Sequence, residues 1–77
     1  MNKERVIHSF NNQGQNRCVD IVQDEFGRYR WQEWRRDSED QNGWFLLQDS
    51  VPLSYLSDDE SIQAAVKLVT WLRADRD

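Results

Sequence analysis

The spacing of apolar residues changes once along this sequence, close to Ser57. Upstream, short runs alternate apolar with polar side chains or cluster β-branched and aromatic ones, which is the mark of strands. Downstream, apolar residues recur every three or four positions, which is the mark of a helix. Residues 4–10 (ERVIHSF) place Val6, His8 and Phe10 on one side and Ile7 on the other, and read as a first strand. The polar stretch 11–16, with Gly14 inside it, reads as a turn. Residues 17–24 carry Val19, Ile21 and Val22, which suit a half-buried pleated surface.

After the break Glu25-Phe26-Gly27, residues 28–36 (RYRWQEWRR) alternate again. A three-residue hairpin loop with Gly27 in the left-handed position predicts the pairs Ile21–Trp31, Gln23–Tyr29 and Val19–Glu33. Val19, Ile21, Tyr29 and Trp31 then share a core face, while Cys18, Val22, Arg28, Arg30, Trp34 and Arg36 share the other. A two-residue loop shifts the pairing by one and breaks that agreement. Reading 28–36 as a helical turn, with Trp31 and Trp34 three apart, is the rival. The acidic, amide-rich stretch 37–43 ends in Asn42-Gly43, a hairpin signal. Residues 44–48 (WFLLQ) form a fourth strand whose apolar residues fall on both faces, so an interior or doubly covered position is expected. Pro52 makes 49–56 an irregular connection, with Val51, Leu53, Tyr55 and Leu56 expected to close the end of the core.

The helix is expected over about 58–73. Ser57 is the N-cap and Glu60 stands three residues on, a capping box; Asp58 and Asp59 lie at the positive end of the helix dipole and Arg73 near the negative end. Ile62, Ala65, Val66, Val69 and Leu72 form the core stripe. Ala64, Leu68 and Trp71 widen the apolar arc beyond the roughly 100° of an ordinary surface helix. Either the sheet and residues 49–56 wrap the helix deeply, or part of the arc, the Leu68/Trp71 flank, meets another chain. The predicted fold is α+β: one domain over residues 1–77, an antiparallel meander of three or four strands with one C-terminal helix packed across a face.

At 77 residues the core is small, and a domain of this size often needs a staple. None is visible, because one cysteine and one histidine make neither an internal disulfide nor the usual zinc site. Four Trp, three Phe and two Tyr supply the apolar mass instead. No targeting segment and no membrane-length apolar run stands out, so a reducing, cytoplasmic setting without membrane contact is expected. The net charge is −4 and unevenly distributed: residues 1–36 hold seven Lys/Arg against five acids, residues 37–77 three against nine. That balance favours solubility over indiscriminate nucleic-acid binding; the asymmetry reads as chance with helix-dipole placement, with opposed functional faces as the alternative.

Catalytic chemistry has little to stand on. His8 is the sole imidazole available to a nucleophilic triad, and in an alternating strand it reads as structural. Arg17 beside Cys18 is placed to lower the thiol pKa, although a single small thiol in a strand is ordinarily structural. No phosphate-cradling glycine spacing occurs. Ser38, Asp40, Asn42, Gly43 and Asp49 fall at calcium-loop positions, but Ser38 and Asp49 replace the expected Asp and Glu and the flanks are strands, so no metal or cofactor is expected. The strand order is shared by many small prokaryotic accessory proteins, and order is not function.

Three function classes follow. The first is a non-enzymatic accessory or binding protein acting on an unidentified protein partner, or on a second copy as a homodimer. Its surfaces would be the Leu68/Trp71 flank and the Arg28, Arg30, Trp34 and Arg36 face. The second is a nucleic-acid-binding module on that Arg/Trp face, where guanidinium groups grip phosphate and an indole stacks on a base. Against it, acids on the neighbouring strand, Asp20 and Asp24, are placed to neutralise the arginines. The third is an acidic inhibitor mimicking nucleic acid through the acids of 37–60.

Overall fold

The computed structural model describes residues 4–37, 39 and 43–76. Four strands, β1 (Arg5–Asn11), β2 (Arg17–Gln23), β3 (Tyr29–Arg36) and β4 (Trp44–Asp49), precede two helices, α1 (Asp58–Leu68) and α2 (Thr70–Arg76). The strands make one antiparallel sheet in the order β1-β2-β3-β4, an open meander with the helices on one face. The α+β architecture read from the sequence is the one observed.

The β2–β3 hairpin has the predicted register: Val19, Ile21 and Gln23 lie opposite Glu33, Trp31 and Tyr29. Its loop closes because Gly27 takes φ 80°, where an L side chain is strained. The Asp24 carboxylate accepts from the amides of Phe26 (2.9 Å) and Arg28 (3.0 Å). In the β1–β2 turn the left-handed residue is Gln15 (φ 58°) rather than Gly14, and the Asn12 side chain holds the turn by accepting from the amides of Asn16 and Arg17.

Four expectations are corrected. First, β1 shifts register between Val6 and His8, so Val6 faces away from the helices, opposite Val22, while His8 and Phe10 face them, opposite Ile21 and Val19. Second, β4 is an edge strand, neither interior nor covered. As the last strand of a meander it has β3 on one side and no strand on the other among the described residues. Third, Val51, Leu53 and Leu56 are exposed; only Tyr55 packs on the core, bridging Tyr29. Fourth, the helix is broken. Val69 is extended (φ −103°, ψ 101°) and separates α1 from α2.

The break divides the wide apolar arc: Ala64 and Leu68 lie on α1, Trp71 and Leu72 on α2. Val66, Val69 and Thr70 are β-branched and weak helix formers, which lowers the cost of the break. The Val66 and Lys67 carbonyls, which lose their helical donors there, accept from the Arg73 guanidinium instead. Ser57 caps α1 as expected, its hydroxyl accepting from the Glu60 amide at 3.1 Å.

The core consists of Val19, Ile21 and Trp31 from the sheet with Ala65, Val69 and Leu72 from the helical segment. The line of closest approach on α1 is Ser61–Ala65, both fully buried, with Ile62 and Val66 half-buried beside it. Ala65 belongs to the predicted stripe; Ser61 does not, and it is fully buried where the predicted Ile62 and Val66 are only half-buried.

Candidate functional site

The residues singled out in the sequence divide between the two faces of the sheet. On the face away from the helices, Cys18, Asp20 and Val22 of β2 stand opposite Trp34, Gln32 and Arg30 of β3. Cys18 and Val22 are nonetheless buried. The Arg30 side chain is 13% exposed and held by two acids: Nη2 donates to Glu4, and Nη1 donates to both carboxylate oxygens of Asp49 at 3.3 Å. Gln32 also donates to Asp49, at 2.9 Å. The neutralising acids are therefore Glu4 and Asp49, not Asp20 and Asp24. Asp20 accepts from Ser9 (2.8 Å) and from the Cys18 thiol (3.2 Å), and Asp24 serves the hairpin loop.

Arg36 donates to the Gln15 carbonyl (3.1 Å), and its guanidinium lies 5.0 Å from the Trp44 ring centroid, a cation–π contact. Trp34 is half-buried between Cys18 and Leu46, and its indole N–H is buried without a partner among the described residues. Arg28 precedes β3 and is exposed, with no side-chain partner among the described residues. The predicted arginine platform is thus dispersed: one cation neutralised, one stacked on an indole, one in a loop.

On the helix face, Trp71 is half-buried and turned toward the sheet, its Nε1–H donating to Glu33 Oε2 at 2.9 Å. Glu33 is buried and also accepts from Gln48 Nε2 at 2.7 Å. Leu68 is separate from this cluster. It ends α1, is 66% exposed, and borders a shallow groove of about 490 Å³ with Tyr55, Ala64 and Lys67. The break at Val69 parts the two residues of the predicted flank.

His8 Nε2 lies 2.9 Å from Asp58 Oδ2, and this hydrogen bond holds the Asp58 carboxyl below its ordinary value of 3.8. The Cys18 thiol is pushed up to about 11, first by burial and then by Asp20, so the lowering expected from Arg17 does not occur. Of the calcium-like positions, Ser38, Asp40 and Asn42 lie outside the described residues, and Asp49 is committed to Arg30 and Gln32. No group of three or more metal-ligating side chains is assembled among the described residues.

The feature that sequence reasoning missed is β4. Trp44 (37%), Phe45 (37%), Leu46 (47%) and Leu47 (46%) are all exposed, four consecutive large apolar residues on an edge strand. A signal for it existed: in a meander the last strand is an edge, whatever its composition. Edge strands normally carry charges or proline that block further pairing, and residues 44–48 have neither. No protein-family profile, curated protein or solved structure matches this chain. No helix among the described residues is long and apolar enough to cross a membrane.

Proposed function

We propose that this chain is a non-enzymatic binding protein that acts through protein contact, with the β4 edge as its docking element. The observation that carries the reading is the uncharged, exposed run Trp44–Leu47 on a strand whose outer side is unpaired among the described residues. Strand addition to such an edge draws affinity from main-chain hydrogen bonds and specificity from the alternating side chains. An exposed apolar cluster of this kind marks contact surfaces on soluble domains. The two groups that nucleophilic chemistry would use support a non-catalytic reading, since the Cys18 thiol is pushed up and buried and His8 is engaged with Asp58. The partners found for Arg30 and Arg36 weigh against the nucleic-acid alternative.

The test is site-specific photo-crosslinking in host cells. A photoreactive residue at Leu47 should give discrete protein adducts, while the same residue at exposed Gln63 on α1 should not. No adduct from Leu47, or equal adducts from both positions, would remove the β4 edge as the docking element.

A further inference from the structure

We propose that the occupant of the β4 edge is a second copy of β4, paired antiparallel about a two-fold axis centred on Phe45. The proposal rests on the protein-contact reading and names its partner.

The main-chain directions select the register. In β3, Tyr29 exchanges hydrogen bonds with Tyr55, and the Trp31 carbonyl accepts from the Ser50 amide, so odd-numbered residues point toward the β4 side. Arg36 donates to Asn16, so even-numbered residues point toward β2. Antiparallel ladders alternate in this way. Phe45, opposite Arg35, therefore uses its main-chain groups inward, whereas Trp44 and Leu46, opposite Arg36 and Trp34, direct theirs outward. A register shift at Leu47 ends this alternation before Gln48. A two-fold centred on Phe45 places Trp44 opposite Leu46 of the copy, and Leu46 opposite Trp44 of the copy. Both are then hydrogen-bonded pairs, and the outward groups of both residues are satisfied. Centring on Leu46 satisfies only that residue's own groups, because Trp44 would then face Gln48, whose groups point inward.

The side chains agree with the main chain. Directly opposed residues share a face, so the two Phe45 rings meet on the helix side, at a non-hydrogen-bonded position where Cα atoms approach to about 4.5 Å. On the other side each Trp44 packs against Leu46 of the copy, with Arg36 remaining over Trp44. The directly paired residues Trp44, Phe45 and Leu46 are all uncharged, so a second copy sets no like charges opposite one another, and Arg35 and Arg36 stay one strand back on β3. The β1 edge is different: it carries Arg5 and His8, and Glu4 precedes it. Two-fold contacts of one surface patch with itself are the commonest closed assembly.

The experiment is sedimentation equilibrium from about 1 μM to about 1 mM, a range that brackets weak and moderate dimers. The expected result is a monomer–dimer equilibrium that added salt does not weaken and that is lost in Leu46→Lys. Leu46 is half exposed, so that variant should keep the wild-type circular dichroism. In a Cys18→Ser background, Phe45→Cys should form an interchain disulfide on mild oxidation, and Leu53→Cys should not. A strict monomer across the range overturns the proposal, as does a dimer that Leu46→Lys leaves intact. A disulfide formed as readily through Leu53→Cys overturns the register. A monomer that still gives Leu47 adducts with another protein in cells overturns the self-pairing alone and leaves the protein-contact reading standing.

Discussion

Trp71 separates a structural account of the helical segment from an interactive one. Its Nε1–H donates to Glu33 at 2.9 Å, and Glu33 is 8% exposed, with Gln48 as its other donor. Trp71→Phe keeps a ring in place and deletes that donor. A hydrogen bond to a charged, buried acceptor contributes about 1.5–3 kcal/mol. In a domain of this size 1 kcal/mol corresponds to about 4–8 °C in Tm, so the variant should melt on the order of 10 °C lower. With an m-value of about 1 kcal/mol/M the urea midpoint should fall by roughly 2 M at unchanged slope. Glu33→Gln completes a double-mutant cycle, in which the coupling between the two positions should be about 1 kcal/mol or more. The assay is urea denaturation followed by circular dichroism. A Trp71→Phe variant within about 0.5 kcal/mol of wild type, or strict additivity in the cycle, would refute the view that this indole anchors α2 to the sheet.

Three further outcomes follow from buried or paired polar groups. Ser61 is fully buried on the closest-approach line and its hydroxyl has no partner among the described residues, so Ser61→Ala should stabilise the protein by about 1 kcal/mol; a loss of stability in thermal melts would show that the hydroxyl is satisfied. The raised, buried Cys18 thiol should react with iodoacetamide at pH 8 far more slowly in the native protein than in urea, and equal rates would contradict its placement. The Asp58 carboxyl, lowered by His8, contributes stability that is present above 3.8 and lost as pH falls through its lower folded value. Asp58→Asn should therefore flatten the acid limb of the stability profile below about pH 4, a small effect that high salt diminishes; an unchanged acid limb at low salt would contradict the pairing.

The hairpin of β2 and β3 was legible because alternation and Gly27 agree on a single register, and a shift by one would have turned Val19, Ile21 and Trp31 toward solvent. The N-cap at Ser57 was legible for a similar reason, since its hydroxyl accepts from the nearby Glu60 amide whatever the rest of the chain does; the return arm of the box differs, the Glu60 carboxylate accepting from the Leu56 amide rather than from Ser57. The failures involve groups distant in sequence. Glu4 and Asp49 reach Arg30 from residues 26 and 19 positions away, across the sheet, and no neighbouring-strand rule identifies both. The break at Val69 depends on Arg73 supplying donors to carbonyls six and seven residues back, which an apolar periodicity does not register. Ala65 was legible from its place in the apolar stripe, but Ser61 was not, because its hydroxyl ranks it as polar although it is fully buried. The apolar composition of β4 suggests cover, yet the strand order leaves it at the edge.

Residue-resolved amide hydrogen exchange along β4, at low and at high protein concentration, addresses the docking claim most directly. In dilute solution the Phe45 and Gln48 amides, opposite Arg35 and Glu33, should be protected, and those of Trp44 and Leu46 should exchange freely. At high concentration Trp44 and Leu46 should become protected as well, with the rest of the sheet unchanged. Trp44 and Leu46 amides that stay open at every concentration would contradict pairing at this edge, and full protection of both in the dilute monomer would contradict the edge itself.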